Sequence, residues 1–117
     1  MQKLIRELIN NKQQLMEDIM NTTFTARKFN ASSTLQEYAN QAVNKLEKYY
    51  DSILVCDIVL EPNPDHDEPQ KAELNLQVAK DFLTVTETGA TYEQAINKAV
   101  DNMKRQIKRY KDKRFAN

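Results

Sequence analysis

Seven apolar side chains near the C-terminus, Tyr92, Ile96, Ala99, Val100, Met103, Ile107 and Tyr110, recur at helical spacing. The stripe spans about six turns at 3.6 residues each. A helix so long with one apolar face must lie on a second layer, so the rest of the chain has to supply a sheet or further helices. Thr91 followed by Gln94 marks its start as a capping box, directly after Gly89 breaks the preceding strand pattern.

The upstream sequence supplies strands. Lys71 to Val78 alternates, with Ala72, Leu74, Leu76 and Val78 against Lys71, Glu73, Asn75 and Gln77, which predicts a half-buried strand. Ala79-Lys80-Asp81 is short enough for a hairpin into a Thr- and Val-rich strand over Phe82 to Thr88. Ile53 to Leu60 is β-branched, with Cys56, Ile58 and Leu60 on one face, and Met20 to Phe29 is a Thr-rich, aromatic run read as the first strand. Between these two runs, Ser33 and Gln36 form a second capping-box pattern. They precede Leu35, Tyr38, Ala39, Ala42, Val43, Leu46, Tyr49 and Tyr50 at helical spacing, which predicts one helix through Tyr50.

The order is therefore strand, helix, strand, strand, strand, helix. A helical crossover makes the first two strands parallel, and two short connections make the last three antiparallel. The expected fold class is α+β: a β-α-β-β-β-α two-layer sandwich, a four-stranded sheet with both helices on one face. Residues 1–19 carry a separate amphipathic pattern, Leu4, Ile5, Leu8 and Ile9, then Leu15, Met16 and Ile19. They read as a helical extension with no slot in the two layers, leaving residues 20–117 as the domain.

Residue types narrow the chemistry. Among 117 residues, Cys56 is the lone cysteine, His66 the lone histidine and Gly89 the lone glycine. An intrachain disulfide, a Cys/His zinc site, a Cys-His nucleophilic pair and a Gly-rich phosphate loop all lack their parts. The expectation is a protein that is not an enzyme and takes no cofactor, metal or small-molecule substrate. No apolar run is long enough to span a membrane, and Arg6, Glu7 and Lys12 interrupt what a signal peptide would keep apolar. A cytoplasmic protein without membrane attachment is expected.

The net charge of zero hides an asymmetry. Residues 51–93 contain two basic and ten acidic side chains, whereas residues 94–117 contain eight and two. On the last helix Lys104 and Lys108 fall on one edge and Lys98, Arg105 and Arg109 on the next, with Lys111 and Lys113 extending the field; Lys45 and Lys48 lie together on the first helix. Attraction of cations to a helix C-terminus accounts for the last turn of such a ridge but not for Lys98, Lys104 and Arg105. For those three, spacing alone leaves open an ordinary solvated face and a polyanion-binding one. The five tyrosines fit core packing better than base stacking, and Cys56 reads as a small buried hydrophobe. His66 belongs to a solvated loop rich in proline and acids over residues 61–69.

These residues also carry a family resemblance. Leu35-Gln36-Glu37-Tyr38, Lys45-Leu46-Glu47-Lys48-Tyr49-Tyr50-Asp51, Ile58-Val59-Leu60, Thr86-Glu87-Thr88-Gly89, Tyr92 with Ala95-Ile96, and Asp101 through Lys113 occur in an order and spacing similar to one bacterial family. It comprises the short ribosome hibernation promoting factors and the ribosome-associated inhibitor, also called ribosomal subunit interface proteins. The resemblance runs from Met20 to about Lys113 and implies the same β-α-β-β-β-α fold, like that of double-stranded RNA-binding domains. It further implies translation inhibition in stress and stationary phase. The protein would bind the small ribosomal subunit, both rRNA and ribosomal proteins, at the decoding groove and occlude messenger RNA and A-site and P-site tRNA. By matching position, rRNA contacts are implied for Lys45, Lys48, Arg105, Arg109, Lys111 and Lys113, with Lys98, Lys104 and Lys108 joining them by geometry.

Three departures accompany the resemblance. The connection over 61–69 is acidic where the family is often mixed or basic. The chain ends at Asn117 without the second domain by which long relatives pair ribosomes, so no self-driven dimerisation is expected. Residues 1–19 have no counterpart, and Met20 is similar to the family's starting methionine, which makes a translation start there one reading of the extension. The alternative function in another class is a non-enzymatic protein-interaction module that docks a basic partner on the acidic 61–69 loop, its basic helix merely solvated.

Overall fold

The structure is a computed structural model that describes residues 20–50, 52–64 and 66–115. Its elements run β1 (Asn21–Ala26), α1 (Ser33–Asn44), a 3-10 turn (Lys45–Lys48), β2 (Ile53–Pro62), β3 (Gln70–Val78), β4 (Asp81–Gly89) and α2 (Tyr92–Phe115). The expected extension over residues 1–19 lies outside the described residues.

The four strands lie side by side in sequence order. β1 pairs parallel to β2, with Phe24 opposite Ile58, and β2, β3 and β4 pair antiparallel, with Ile58 opposite Leu74 and Leu74 opposite Val85. This is the topology that the crossover and hairpin connections require. Lys80 closes the β3–β4 hairpin at a φ of 69°, a left-handed conformation that the tight turn demands of a residue other than glycine.

The alternation in each strand sorts one face of the sheet into the core. Cys56, Ile58 and Leu60 of β2, Ala72, Leu74, Leu76 and Val78 of β3, and Val85 of β4 are buried against Ala39, Ala42, Val43 and Leu46 and against Ala95, Ile96, Ala99, Val100, Met103 and Ile107. Each large aliphatic side chain so buried contributes about 1.5–3 kcal/mol relative to exposure. The opposite face carries Val55, Val59 and Phe82 together with one hydrogen-bonded polar row across all four strands. Thr23 donates to Asp57 Oδ1 at 2.6 Å, Asn75 Nδ2 donates to Asp57 Oδ2 at 3.5 Å, and Thr84 donates to Asn75 Oδ1 at 2.9 Å. The four residues are successive register partners, so each cross-strand pair is polar in turn.

Local details differ from the sequence expectation at α1. The cap is Ser32, not Ser33, and its hydroxyl accepts from Leu35 N–H at 3.0 Å; with Leu at the third position there is no reciprocal capping box. The expected single helix through Tyr50 ends at Asn44 and tightens into the 3-10 turn, a frequent way for a helix to end. The Tyr49 and Tyr50 N–H groups both close back on the Leu46 carbonyl, at 3.0 and 3.3 Å. Tyr50 then packs edge-on against Tyr110 at 5.6 Å, while Tyr49 turns outward with 44% of its surface exposed.

Candidate nucleic-acid interface

α2 is fixed at both ends and on its inner face, which sets where its cations project. At its start Thr91 Oγ1 accepts from Gln94 N–H and Gln94 Oε1 accepts from Ala90 N–H, each at 3.1 Å. The capping box read from sequence thus forms, with its return bond reaching the residue before the cap. Gly89 is buried beneath this first turn, where an added Cβ would lie 2.8 Å from Ala95 N and 2.9 Å from Gln94 Cβ. The position needs glycine for close approach and not for an unusual φ. Further along, Asn97 Oδ1 accepts from the Tyr38 hydroxyl of α1 at 2.9 Å, Asn102 donates to Glu87 of β4 at 2.7 Å, and the Tyr110 hydroxyl donates to the Ala79 carbonyl at 3.1 Å. Phe29 stacks on Tyr92 at 4.6 Å between ring centroids.

With the inner face so held, the helical rotation directs Arg105 and Arg109 away from the sheet, and both are exposed. Lys104, Lys108 and Lys111 lie along the flank that meets the end of the 3-10 turn. There Lys111 Nζ donates to the Tyr49 carbonyl at 2.8 Å and Lys104 Nζ sits 5.2 Å from the Tyr49 ring centroid, a cation–π contact. Lys45 and Lys48 are exposed at either end of that turn, and because residues three apart eclipse in a 3-10 helix they share one edge. Tyr49, the residue after this turn, is where lysines of α2 reach the segment that carries Lys45 and Lys48.

The junction is a groove of about 430 Å³ lined by Tyr49, Lys104, Arg105, Ile107, Lys108, Lys111 and Asp112. Among the described residues the ion pairs leave Lys45, Lys48, Arg105, Lys108 and Arg109 unused, whereas Lys104 is 3.6 Å from Asp101. Lys113 falls on the other flank of α2, in a separate hollow with Ala79, Lys80, Asp81 and Tyr110.

Lys98 is placed differently from the rest. Its ammonium bridges Glu68 Oε2 at 2.7 Å and the Thr88 carbonyl at 3.0 Å, so it holds the acidic loop to the end of β4. Sequence spacing put it on the outer face but could not reveal a partner thirty positions away. The bond from Lys98, helped by one from Thr88, lowers the Glu68 pKa below the usual carboxylate range. Glu61 is likewise lowered by Lys71, with Lys28 adding to it, at 3.3 and 3.5 Å. Two acids of the 61–69 segment are therefore already matched by the protein's own lysines.

Tyr49 is the site residue that the apolar pattern missed, because its place on the stripe holds only if the α-helix continues to Tyr50. Cys56 is buried as expected, and burial, reinforced by the neighbouring Asp57 carboxylate, pushes its thiol up to about 12. No group of metal-ligating side chains occurs among the described residues, and no described helix is long and apolar enough to cross a membrane.

Comparison with known proteins agrees with this architecture. Residues 22–114 match the family model described as Sigma 54 modulation protein / S30EA ribosomal protein. The N-terminal domain of Protein Y from Thermus thermophilus is similar in structure, with a TM-score of 0.68 at 25% identity over 78% of this chain and 99% of that one. A ribosomal subunit interface protein from Coxiella burnetii shares the fold, with a TM-score of 0.71 at 13% identity over 79% of this chain and 98% of its own. None of the curated proteins matches the chain in sequence. With a family model spanning most of its length and this fold, the chain belongs to the Sigma 54 modulation protein / S30EA ribosomal protein family, that of the hibernation promoting factors.

Proposed function

We propose that this protein binds the small ribosomal subunit at the decoding groove and holds the ribosome inactive by occupying the space of messenger RNA and of A-site and P-site tRNA. Membership in a ribosome-associated family supplies the partner class. The observation that carries the reading is the basic flank of α2 at Tyr49, where Lys104 and Lys111 contact that residue and Arg105 and Lys108 line the same groove; Lys45 and Lys48 are exposed on the turn just before Tyr49 and Arg109 on the outer face of α2. A rigid face with several cations free of carboxylate partners suits RNA phosphates, whose neutralisation releases counterions and favours binding. Few base-edge contacts are needed, since a shaped RNA groove is recognised largely through its backbone. Lys113 extends the contact on the far flank, and Lys98 acts by holding the acidic loop away from the RNA.

The rival reading, a protein module that docks through the 61–69 loop, has less to work with. Glu61 and Glu68 are engaged by Lys71, Lys28 and Lys98, which reduces the charge offered to a basic partner. Co-sedimentation with purified small subunits across a salt series separates the two. The ribosomal reading expects tight binding at low salt and a log–log slope equivalent to several neutralised phosphates. Absence of binding at low salt would overturn it.

A further inference from the structure

The basic field explains affinity for phosphate, but it does not explain Tyr49. A phosphate-binding ridge needs charge and no cavity, yet this one contains a groove of about 430 Å³ whose walls include an exposed aromatic ring and the aliphatic side chain of Ile107, itself 1% exposed. That volume lies within the range of small-molecule pockets. A tyrosine left 44% exposed forgoes part of the burial that Tyr50, its neighbour, obtains against Tyr110.

We propose that this groove is a nucleobase subsite: one unpaired base of the bound RNA stacks on the Tyr49 ring, with its flanking phosphates on Lys104, Lys108 and Lys111. The inference rests on the ribosomal reading for its partner but adds a base contact that the charged ridge alone does not supply.

Three features support that occupant. Lys111 on the Tyr49 carbonyl fixes the backbone that carries the ring, so little backbone freedom is lost when a base arrives. A stacking base takes the place of the Lys104 ammonium on the ring, and that ammonium moves to the phosphate which the base brings with it. Asp112, also on the groove wall, repels a phosphate but accepts from the exocyclic amino group of adenine, cytosine or guanine. A site that combines an aromatic platform, surrounding cations and one acceptor matches a nucleotide better than a bare anion or a peptide.

The chain contains no tryptophan, so Tyr49→Trp introduces a single fluorescent reporter at the platform. Its emission is followed during titration with a short oligoadenylate and, separately, with inorganic polyphosphate of equal charge. In parallel, small-subunit affinity is measured for the wild type, Tyr49→Phe and Tyr49→Ala across a salt series. The expected result is quenching by oligoadenylate and none by polyphosphate, full affinity in Tyr49→Phe, and a loss of roughly tenfold in Tyr49→Ala with an unchanged salt slope. Equal quenching by polyphosphate, or Tyr49→Ala binding subunits as the wild type does, would overturn the subsite while leaving ribosome binding intact. Quenching specific to oligoadenylate in a protein that fails to bind small subunits would uphold the subsite and overturn the ribosomal reading instead.

Discussion

The Lys98 ammonium lies 2.7 Å from Glu68 Oε2, and this ion pair fastens the acidic β2–β3 connection to the helix that carries most of the basic face. Because the pair lowers the Glu68 pKa, its contribution is present above the ordinary carboxylate range and is lost as pH falls through the lowered value. The protection factors of the amides of residues 66–68, taken relative to the intrinsic exchange rate at each pH, should therefore fall in acid and, at neutral pH, in Glu68→Gln. Protection that is unaffected by either change would show that the connection is held by other means.

The same pair separates Lys98 from Arg105 and Arg109. Replacing both arginines by Glu should weaken small-subunit binding strongly and reduce the salt slope by about one unit for each phosphate no longer neutralised. Lys98→Ala should change that slope by less than about half a unit, since its charge is already matched within the protein. Circular dichroism should be unchanged in both variants, and an unaltered affinity in the double arginine variant would remove the outer face of α2 from the interface.

Gly89 offers a test of how α2 is seated. Its Cβ space is filled by the first turn of the helix, so Gly89→Ala must displace backbone. The expected cost is about 1–3 kcal/mol, as for other overpacked sites. Thermal unfolding should move down by roughly 4–8 °C for each kcal/mol of destabilisation. A melting temperature equal to that of the wild type would mean that the capped turn is free to shift.

Sheet and helices were legible in the sequence because burial repeats with the period of each element. Leu74 and Leu76 alternate with Glu73 and Asn75, and Ile96, Met103 and Ile107 follow the helical stripe, so face and order could both be read. Thr91 and Gln94 are local to one turn and were equally readable. The misses are of another kind. Where α1 tightens after Asn44 depends on how Leu46 and Tyr50 meet the core, and this decides that Tyr49 points outward. Glu68 reaches Lys98 only because β3 and β4 return the chain to the start of α2. Charge spacing thus located the basic helix but could identify neither the groove beside it nor the pairing of Lys98 with Glu68.

Occupation of the decoding groove is tested most directly by competition on purified small subunits. Subunits are loaded with messenger RNA and initiator tRNA, or left empty, and binding of the labelled protein is measured at one fixed low salt concentration. Tight binding to empty subunits is expected, with exclusion from loaded ones and displacement of bound protein as initiator tRNA and messenger are added. Equal binding to empty and loaded subunits, with messenger and tRNA retained, would contradict occupation of the groove.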